Sequence, residues 1–216
     1  MKKIRNGKMH LGRRNRFVLY CVVFFLRISL GLWYRIKIEG VENIPRDSAF
    51  ILLPKHQRWT DIPFIAWAAP MPLYYIAKHQ LFKSWFSDWL ISALGGLPLN
   101  RDRPIESRRS LVSVIELLKQ GEGMVVFPEG TYFENCMGPG NIGIVRLILS
   151  RLSAPFVPAG ISYKRGLIRT VVRISFGNPI LAERDKDTGK PNEPPQELLA
   201  RVMKEIARLS DLEWPE

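Results

Sequence analysis

His56 and Asp61 are the residues of this sequence whose types and spacing best fit acid–base chemistry. A carboxylate bonded to one imidazole nitrogen fixes the tautomer of the ring and leaves the other nitrogen as a base. Without a neighbouring serine or cysteine, such a pair would activate a hydroxyl group of the substrate itself. Because positions five apart do not share a face of a continuous helix, the two side chains meet only if the chain turns after His56 and begins a helix near Asp61.

The H-x4-D spacing alone also fits a surface histidine followed by an aspartate that caps a helix. Two observations favour the chemical interpretation. Pro54 and Pro63 flank the pair and make the required turn plausible. The pair also follows Ala49–Leu53, a short apolar run closed by a proline, which is typical of a buried strand.

Two further segments have residue types suited to binding anions. Phe127–Tyr132 follows the apolar run Met124–Phe127, and a glycine-containing loop at a strand end can present backbone N–H groups to an anion or a developing oxyanion. An ordinary turn has the same composition. Gly96–Arg101 ends in Arg101, which suits either bidentate phosphate contact or a solvated surface charge.

The remaining pattern alternates short apolar runs with helical segments. Strands are predicted over Arg35–Glu39, Ala49–Leu53, Met124–Phe127, Pro155–Ile161 and Val171–Phe176, and helices over Asp61–Ala69, Trp85–Leu94, Glu106–Gln120, Asn141–Leu152 and Gln196–Leu209. We predict an α/β fold with a mixed, mostly parallel sheet covered by helices, preceded by an N-terminal membrane-associated helical segment. Functional residues in such sheets collect just beyond the strand ends, where His56 and Glu129 lie.

The positive charge of the chain is concentrated at its N-terminus. The net charge is +12, and residues 1–46 contribute +9 of it through eleven Lys or Arg and two acids. An apolar run, residues 17–26, lies within this region, but it is shorter than the roughly 20 apolar residues of a spanning helix and is followed by Arg27. We therefore predict that residues 1–35 anchor the protein by inserting partly or lying in the membrane interface, and that residues 36–216 form the α/β domain.

In this interpretation Arg13, Arg14 and Arg16 meet anionic head groups, while Trp33 and Tyr34 lie at the membrane boundary. A buried core helix is the alternative, although a core helix gains nothing from a basic flank. Nucleic-acid binding is disfavoured because a basic arm that binds a duplex does not need ten consecutive apolar residues beside it. The segment also lacks the small-residue cleavage site of a signal peptide.

Cysteine and histidine usage argues against a disulfide framework and a metal site. The two cysteines, Cys21 and Cys136, define no framework, and the three histidines are scattered. We predict no metal and no bound cofactor, and a location on the cytoplasmic face of a membrane. A hydrolase that uses Cys136 has little support, because no His–Cys motif accompanies it.

Taken together and in order, these segments resemble the glycerolipid acyltransferase family, which includes lysophosphatidic acid acyltransferase. His56–Asp61 resembles the family's H-x4-D block, Gly96–Arg101 its Gly-to-Arg block, Phe127–Tyr132 its F-P-E-G-T-R block, and Val157–Ile161 its V-P-x-x-I block. Ala77–Phe82 resembles the A-K-x-E-L-F stretch, with Gln80 in place of Glu. The match runs from about Gly40 to Pro179. Four blocks in order are far more specific than one.

The resemblance implies a membrane-bound O-acyltransferase with no bound cofactor. It would transfer a fatty acyl group from acyl-CoA or acyl-ACP to the free hydroxyl of a lysolipid, with 1-acyl-glycerol-3-phosphate as the favoured acceptor and phosphatidic acid as the product. Its partners would be membrane lipids, the lysolipid and acyl carrier protein, not nucleic acid, and in a bacterium it would lie at the inner membrane.

The resemblance also implies roles for individual residues. His56 would be the general base, and Asp61 would orient it. The implied substrate-binding set comprises Lys78, Arg101, Glu129, Gly130, Thr131 and Tyr132. Within this set, Lys78 and Arg101 would contact phosphate, and Glu129, Gly130 and Thr131 would shape the acceptor site.

Tyr132 departs from the family pattern, which has an arginine associated with acceptor phosphate at this position. A tyrosine donates one hydrogen bond and carries no charge, so the change could cost about 1.5–3 kcal/mol of phosphate binding. Arg101, Arg103 or Arg146 could compensate. Otherwise the acceptor is a different lysolipid, or the protein is a non-catalytic membrane lipid-binding protein of the same fold.

Overall fold

The computed structural model describes residues 14–100, 104–183 and 191–214; within residues 104–109 and at Ile144 it describes the backbone alone. The helices are α1 (Arg16–Gly31), α2 (Asp61–Ala68), α3 (Trp85–Ala93), α4 (Pro104–Lys119), α5 (Ile142–Arg151) and α6 (Pro195–Leu209). The strands are β1 (Tyr34–Glu39), β2 (Phe50–Pro54), β3 (Tyr74–Lys78), β4 (Gly96–Leu99), β5 (Gly123–Val125), β6 (Phe156–Lys164) and β7 (Thr170–Phe176).

The strands form one seven-stranded sheet in the order β1-β7-β6-β2-β5-β3-β4. Neighbouring strands are parallel except β6 and β7, which form an antiparallel hairpin. All five residues of the central strand β2 are buried, as expected for a strand with helices on both faces. The predicted mixed, mostly parallel sheet covered by helices is confirmed.

Alternate residues of β2 pack into two cores on opposite faces of the sheet. Ile51 and Leu53 face a core completed by α4, α5 and α6, while Phe50 and Leu52 face a core completed by α2 and the last turns of α1. The carboxyl end of β2 lies between these layers. The residues that follow Pro54 are therefore held by packed structure on both sides.

Helix α1 packs on the edge of the domain against α2, α3 and β1. Asn15 caps it, because its side chain accepts hydrogen bonds from the N–H groups of Phe17 and Val18 at 3.1 and 3.2 Å. Leu19 is buried, whereas Phe17, Phe24 and Phe25 are 77%, 59% and 68% exposed. Among the described residues, no helix combines the length and apolar character needed to cross a membrane.

Arg14 does not lie at the surface, where the charge pattern had placed it. Its side chain is 5% exposed, and it donates to the carbonyl of Pro72 at 3.1 Å and to Glu122 at 3.3 Å. The guanidinium also lies over the ring of Tyr74. The predicted contact of Arg14 with head groups is therefore wrong, and Arg14 instead fixes the start of α1 to the sheet. Arg13 lies outside the described residues.

The strand β6 and helix α6 approach closely at Gly160. A Cβ atom at this position would lie 2.2 Å from the carbonyl carbon of Leu209 and 2.3 Å from its oxygen. Because a backbone group cannot move aside as a flexible side chain can, the packing of α6 on the sheet depends on glycine at this position.

Candidate active site

The chain turns immediately after β2, and this turn brings His56 and Asp61 together. Residues 55–60 leave the strand without forming regular structure, and α2 then begins at Asp61. The Nδ1 atom of His56 lies 3.2 Å from Oδ2 of Asp61. Both residues are buried, with exposures of 7% and 0%. The geometry required by the H-x4-D spacing is therefore present.

Asp61 holds this turn rather than capping its own helix as the sequence had suggested. Its Oδ2 accepts hydrogen bonds from the backbone N–H groups of Gln57 and Arg58 at 2.6 and 2.7 Å, in addition to the contact with His56. A carboxylate with these donors orients the imidazole and keeps a proton on Nδ1 when the ring is neutral.

Tyr163, at the end of β6, completes the surroundings of Asp61. Its hydroxyl donates to Oδ1 of Asp61 and lies 3.1 Å from the hydroxyl of Thr60. Burial, followed by the negative charge of Asp61, raises the pKa of the Tyr163 phenol above its ordinary value, so the phenol remains a donor. Both carboxylate oxygens of Asp61 are thereby engaged, one by the turn and one by the neighbouring strand.

The imidazole of His56 is held between two aromatic rings. It stacks on Phe127 with a centroid separation of 3.8 Å, and Tyr132 approaches it edge-on at 4.4 Å. No described residue makes a hydrogen bond to Nε2 of His56. The ring is therefore fixed in orientation with one nitrogen available for a substrate.

A buried ion pair lies directly beneath the histidine. Nζ of Lys55 lies 2.8 Å from both oxygens of Glu129, and both side chains are fully buried. Glu129 also accepts from the backbone N–H of His56 at 2.9 Å and of Gly138 at 2.6 Å, while Lys55 donates to the carbonyl of Phe133 at 2.8 Å. The pair joins the turn that carries His56 to the segment after β5.

His56 lines a cavity of about 400 Å³ between α1, α2, α3 and β3. Aliphatic and aromatic side chains dominate its walls. The lining residues are Leu19, Val22, Val23, Leu26, His56, Trp59, Ile62, Pro63, Ala66, Tyr75, Ile76, Ala77, Lys78, Leu81, Ile91, Leu94, Gly96, Phe127, Gly130, Thr131 and Tyr132. A long apolar group fits such a space better than a polar one.

The acyltransferase family model matches residues 35–162, which include the His56–Asp61 turn, β5 and all but the last two residues of β6. The chain belongs to the acyltransferase family. The matched region covers more than half of the sequence and includes every motif on which the resemblance depended. The predicted membership of the glycerolipid acyltransferases is therefore confirmed, and with it the class of O-acyltransferases.

Similar proteins agree with this assignment. The chain is 29% identical over 156 residues to a 1-acyl-sn-glycerol-3-phosphate acyltransferase of Bacillus subtilis, covering 68% of this chain and 76% of that one. It is 30% identical over 142 residues to a lyso-ornithine lipid O-acyltransferase of Pseudomonas aeruginosa, covering 64% of this chain and 52% of that protein. Against the chloroplastic LPAT1 of Arabidopsis thaliana, 32% identical over 119 residues, the match spans 55% of this chain and a third of that protein's length (33%).

The fold also matches a solved acyltransferase. The crystal structure of the 1-acyl-sn-glycerophosphate acyltransferase PlsC from Thermotoga maritima superposes with a TM-score of 0.67 at 26% identity, over 93% of this chain and 83% of that one. The likeness therefore extends well beyond the 35–162 region into α6.

The structure places the other predicted site residues of this acyltransferase in three different settings. Lys78, Gly130, Thr131 and Tyr132 line the cavity with His56. The Glu129 carboxylate points into the protein toward Lys55, so it does not line the cavity; its role in acceptor binding stays a prediction.

The arginines considered as phosphate ligands are not among the cavity residues that the structure describes. Arg101 and Arg103 lie outside the described part of the chain, and Arg146 is exposed on α5. Their predicted roles remain untested.

Sequence reasoning missed Lys55 and Tyr163 as parts of the candidate active site. A lone lysine ordinarily indicates a solvated surface position, so its type gave no signal. Tyr163 did carry one. It lies just beyond the predicted strand Pro155–Ile161, at the same sheet edge as His56, because β2 and β6 are parallel neighbours.

Proposed function

We propose that the protein transfers a fatty acyl group from an acyl thioester, acyl-CoA or acyl-ACP, to the free hydroxyl of a lysolipid, with 1-acyl-glycerol-3-phosphate as acceptor and phosphatidic acid as product. One observation carries the proposal: His56, oriented by Asp61, lines an apolar cavity of about 400 Å³. A base at the wall of an apolar cavity suits a hydroxyl and a thioester whose chains are both apolar.

The chemistry follows from the two nitrogens of His56. Nε2 takes the proton of the acceptor hydroxyl as its oxygen attacks the thioester carbonyl carbon, while Asp61 stabilises the imidazolium through Nδ1. The tetrahedral intermediate then expels the thiolate, which recovers the proton from Nε2, so the C–O bond replaces the C–S bond and no acyl-enzyme forms. No described residue accepts from the backbone N–H groups of Thr131 and Tyr132, which makes them candidate donors to the oxyanion.

Membrane attachment by residues 1–35 is supported by the exposed surface of α1. Phe17, Phe24, Phe25 and Ile28 are all more than half exposed, on a helix whose other side lines the cavity. Helix α3 adds exposed Trp85, Phe86 and Trp89 across the same cavity, and aromatic residues of this kind favour the membrane interface. A lipid in the cytoplasmic leaflet of the membrane, the inner membrane in a bacterium, would then reach the cavity between these helices.

The acceptor is the part of the proposal that depends on Tyr132. It replaces the family arginine and is 52% exposed beside His56. A relative named for a lyso-ornithine lipid acceptor supports a second candidate, an acyltransferase for another lysolipid. Mass spectrometry of the products from a panel of lysolipids, each supplied with acyl-CoA or acyl-ACP, separates these candidates and identifies the donor.

Substitution of His56 tests the base. His56→Ala is expected to abolish thiol release and product formation while the protein still floats with vesicles, because α1 is untouched. Transfer near the wild-type rate would refute the role of His56. Lipid binding without thiol release by the wild-type protein would instead favour the non-catalytic lipid-binding alternative. Release of the protein from membranes by high salt would indicate an electrostatic association alone.

A further inference from the structure

The turn between β6 and β7 carries two of the most exposed apolar side chains of the described structure. Leu167 is fully exposed and Ile168 is 91% exposed. Both lie in residues 165–169, here called the β6–β7 tip, which projects from the end of an antiparallel hairpin. Adjacent large aliphatic side chains at the end of a hairpin gain nothing in water, so their exposure indicates a surface that another phase or molecule covers.

The β6–β7 tip lies beside the last residues of α1. Arg169 donates to the carbonyl of Gly31 at 2.9 Å, and the N–H of Thr170 donates to the carbonyl of Trp33 at 3.1 Å. Trp33 is itself 73% exposed. The tip therefore adjoins the apolar face of α1 at its carboxyl end, at the point where that helix meets the sheet.

The charges around the tip are positive. Lys164, Arg165 and Arg169 are exposed, and residues 163–172 contain no acid. Lys164 forms an ion pair with Asp211, with 3.5 Å between Nζ and Oδ2. Arg165 has no acidic partner among the described residues. This arrangement suits an anionic membrane surface, because the aliphatic residues can insert among the acyl chains while the flanking cations contact the head groups.

We propose that the β6–β7 tip is a second membrane-binding element, which inserts Leu167 and Ile168 into an anionic bilayer while Arg165 meets the head groups. The proposal rests on the membrane association proposed above for α1 and adds a second contact at the sheet end of that helix. Contact by the hairpin end as well as along α1 would fix the tilt of the domain on the bilayer, which the helix alone does not do.

Vesicle flotation of the full-length protein tests the proposal. L167S/I168S is expected to lower binding to phosphatidylcholine–phosphatidylglycerol vesicles at least tenfold, about 1.4 kcal/mol. The matched control V112S/L181S removes two exposed aliphatic side chains, 51% and 55% exposed, that belong to α4 and to the chain after β7; it should bind as the wild type does. R165Q should weaken binding to these vesicles about fivefold and leave binding to pure phosphatidylcholine unchanged. Equal binding by L167S/I168S and the wild type would overturn the proposal.

A second measurement covers the case in which the double variant is misfolded. In a chain with Cys21 and Cys136 replaced by serine, an environment-sensitive fluorophore at I168C should shift to the blue on vesicle addition, whereas the same probe at L181C should not. No shift at residue 168 in a vesicle-bound protein would refute insertion. If L167S/I168S instead converts a dimer to a monomer without vesicles, the tip is a protein interface and the proposal is wrong.

Activity separates this proposal from the proposed function. With acceptor dispersed in detergent micelles, L167S/I168S should retain wild-type transfer, since its residues lie outside the cavity. Loss of vesicle binding with retained micellar activity supports the proposal. A wild-type protein that transfers acyl groups but does not bind vesicles overturns it while leaving the acyltransferase function standing.

Discussion

Substitution of Glu129 by glutamine distinguishes a buried structural carboxylate from an acceptor-binding one. Glu129 accepts hydrogen bonds from the backbone N–H groups of His56 and Gly138 and pairs with the Lys55 ammonium. Glutamine is nearly isosteric but offers one acceptor oxygen in place of two. Glu129→Gln therefore leaves a fully buried ammonium without its counter-charge and sets an amide NH₂ against a backbone N–H.

The expected cost is large because both partners have no exposure to water. Removing one member of a buried ion pair destabilises a protein by about 3–5 kcal/mol. For a chain of this size, about 2–4 °C of Tm is lost per kcal/mol. Glu129→Gln should therefore lower Tm by roughly 6–20 °C. Activity should fall through kcat, because the backbone N–H of His56 loses its acceptor, while the KM for the acceptor stays within about twofold.

A double variant supplies the control. K55M/E129Q removes the ammonium together with its counter-charge, so its loss of Tm should be smaller than the sum of the two single losses, the sign expected for interacting residues. Thermal unfolding in detergent and initial rates over a range of acceptor concentrations measure both quantities. A Glu129→Gln protein with unchanged Tm and a strongly raised acceptor KM would refute the structural role and restore the carboxylate to the acceptor site.

Two further substitutions probe the positioning of Asp61 and the packing of α6 on the sheet. Tyr163→Phe removes a hydrogen bond to a charged group, which is worth about 1.5 kcal/mol or more. The variant should lower kcat about tenfold and leave the acceptor KM unchanged. A tenfold rise in the acceptor KM would contradict a positioning role. Burial raises the pKa of Tyr163 in the folded protein, so above about pH 10 only the unfolded chain releases this proton. The contribution of Tyr163 to the free energy of unfolding is therefore fully present below that pH and is lost as the pH rises. The wild-type Tm should decline more steeply above about pH 10 than the Tm of Tyr163→Phe. Gly160→Ala drives a Cβ into the Leu209 backbone and should cost about 1–3 kcal/mol, seen as a lower Tm. The control Gly31→Ala, whose Cβ would lie 3.8 Å from Trp67, should leave Tm unchanged or higher; equal losses in the two variants would show that the close approach is not the cause.

The sequence predicted the local features of the site better than the long-range ones. The meeting of His56 and Asp61 was predictable because five residues and two flanking prolines confine it to one turn. The inward direction of Glu129 was not, since it depends on Lys55, which is 74 positions away. A motif gives the residue types of a loop but not the side of the loop on which each side chain lies.

The strands β3 and β4 escaped prediction for a related reason. β4 (Gly96–Leu99) contains Pro98, which argues against a central strand, but it lies at the edge of the sheet, where a missing N–H donor is tolerated. β3 (Tyr74–Lys78) overlaps the segment that resembles A-K-x-E-L-F. Arg14 was placed at the membrane surface by its charge, whereas its partners Pro72 and Glu122 become neighbours only in the folded chain.

Because α1 contributes to the cavity, residues 1–35 cannot be exchanged without changing the candidate active site. Leu19, Val22, Val23 and Leu26 form one wall of the cavity, so the helix proposed to face the lipid also encloses the His56 side of the cavity. Exchanging residues 1–35 for an unrelated transmembrane helix would restore attachment but not the wall. Such a chimera should stay at the membrane and yet lose its discrimination among acyl chains, because the exposed apolar residues proposed for attachment and the residues that line the cavity lie on opposite faces of one helix.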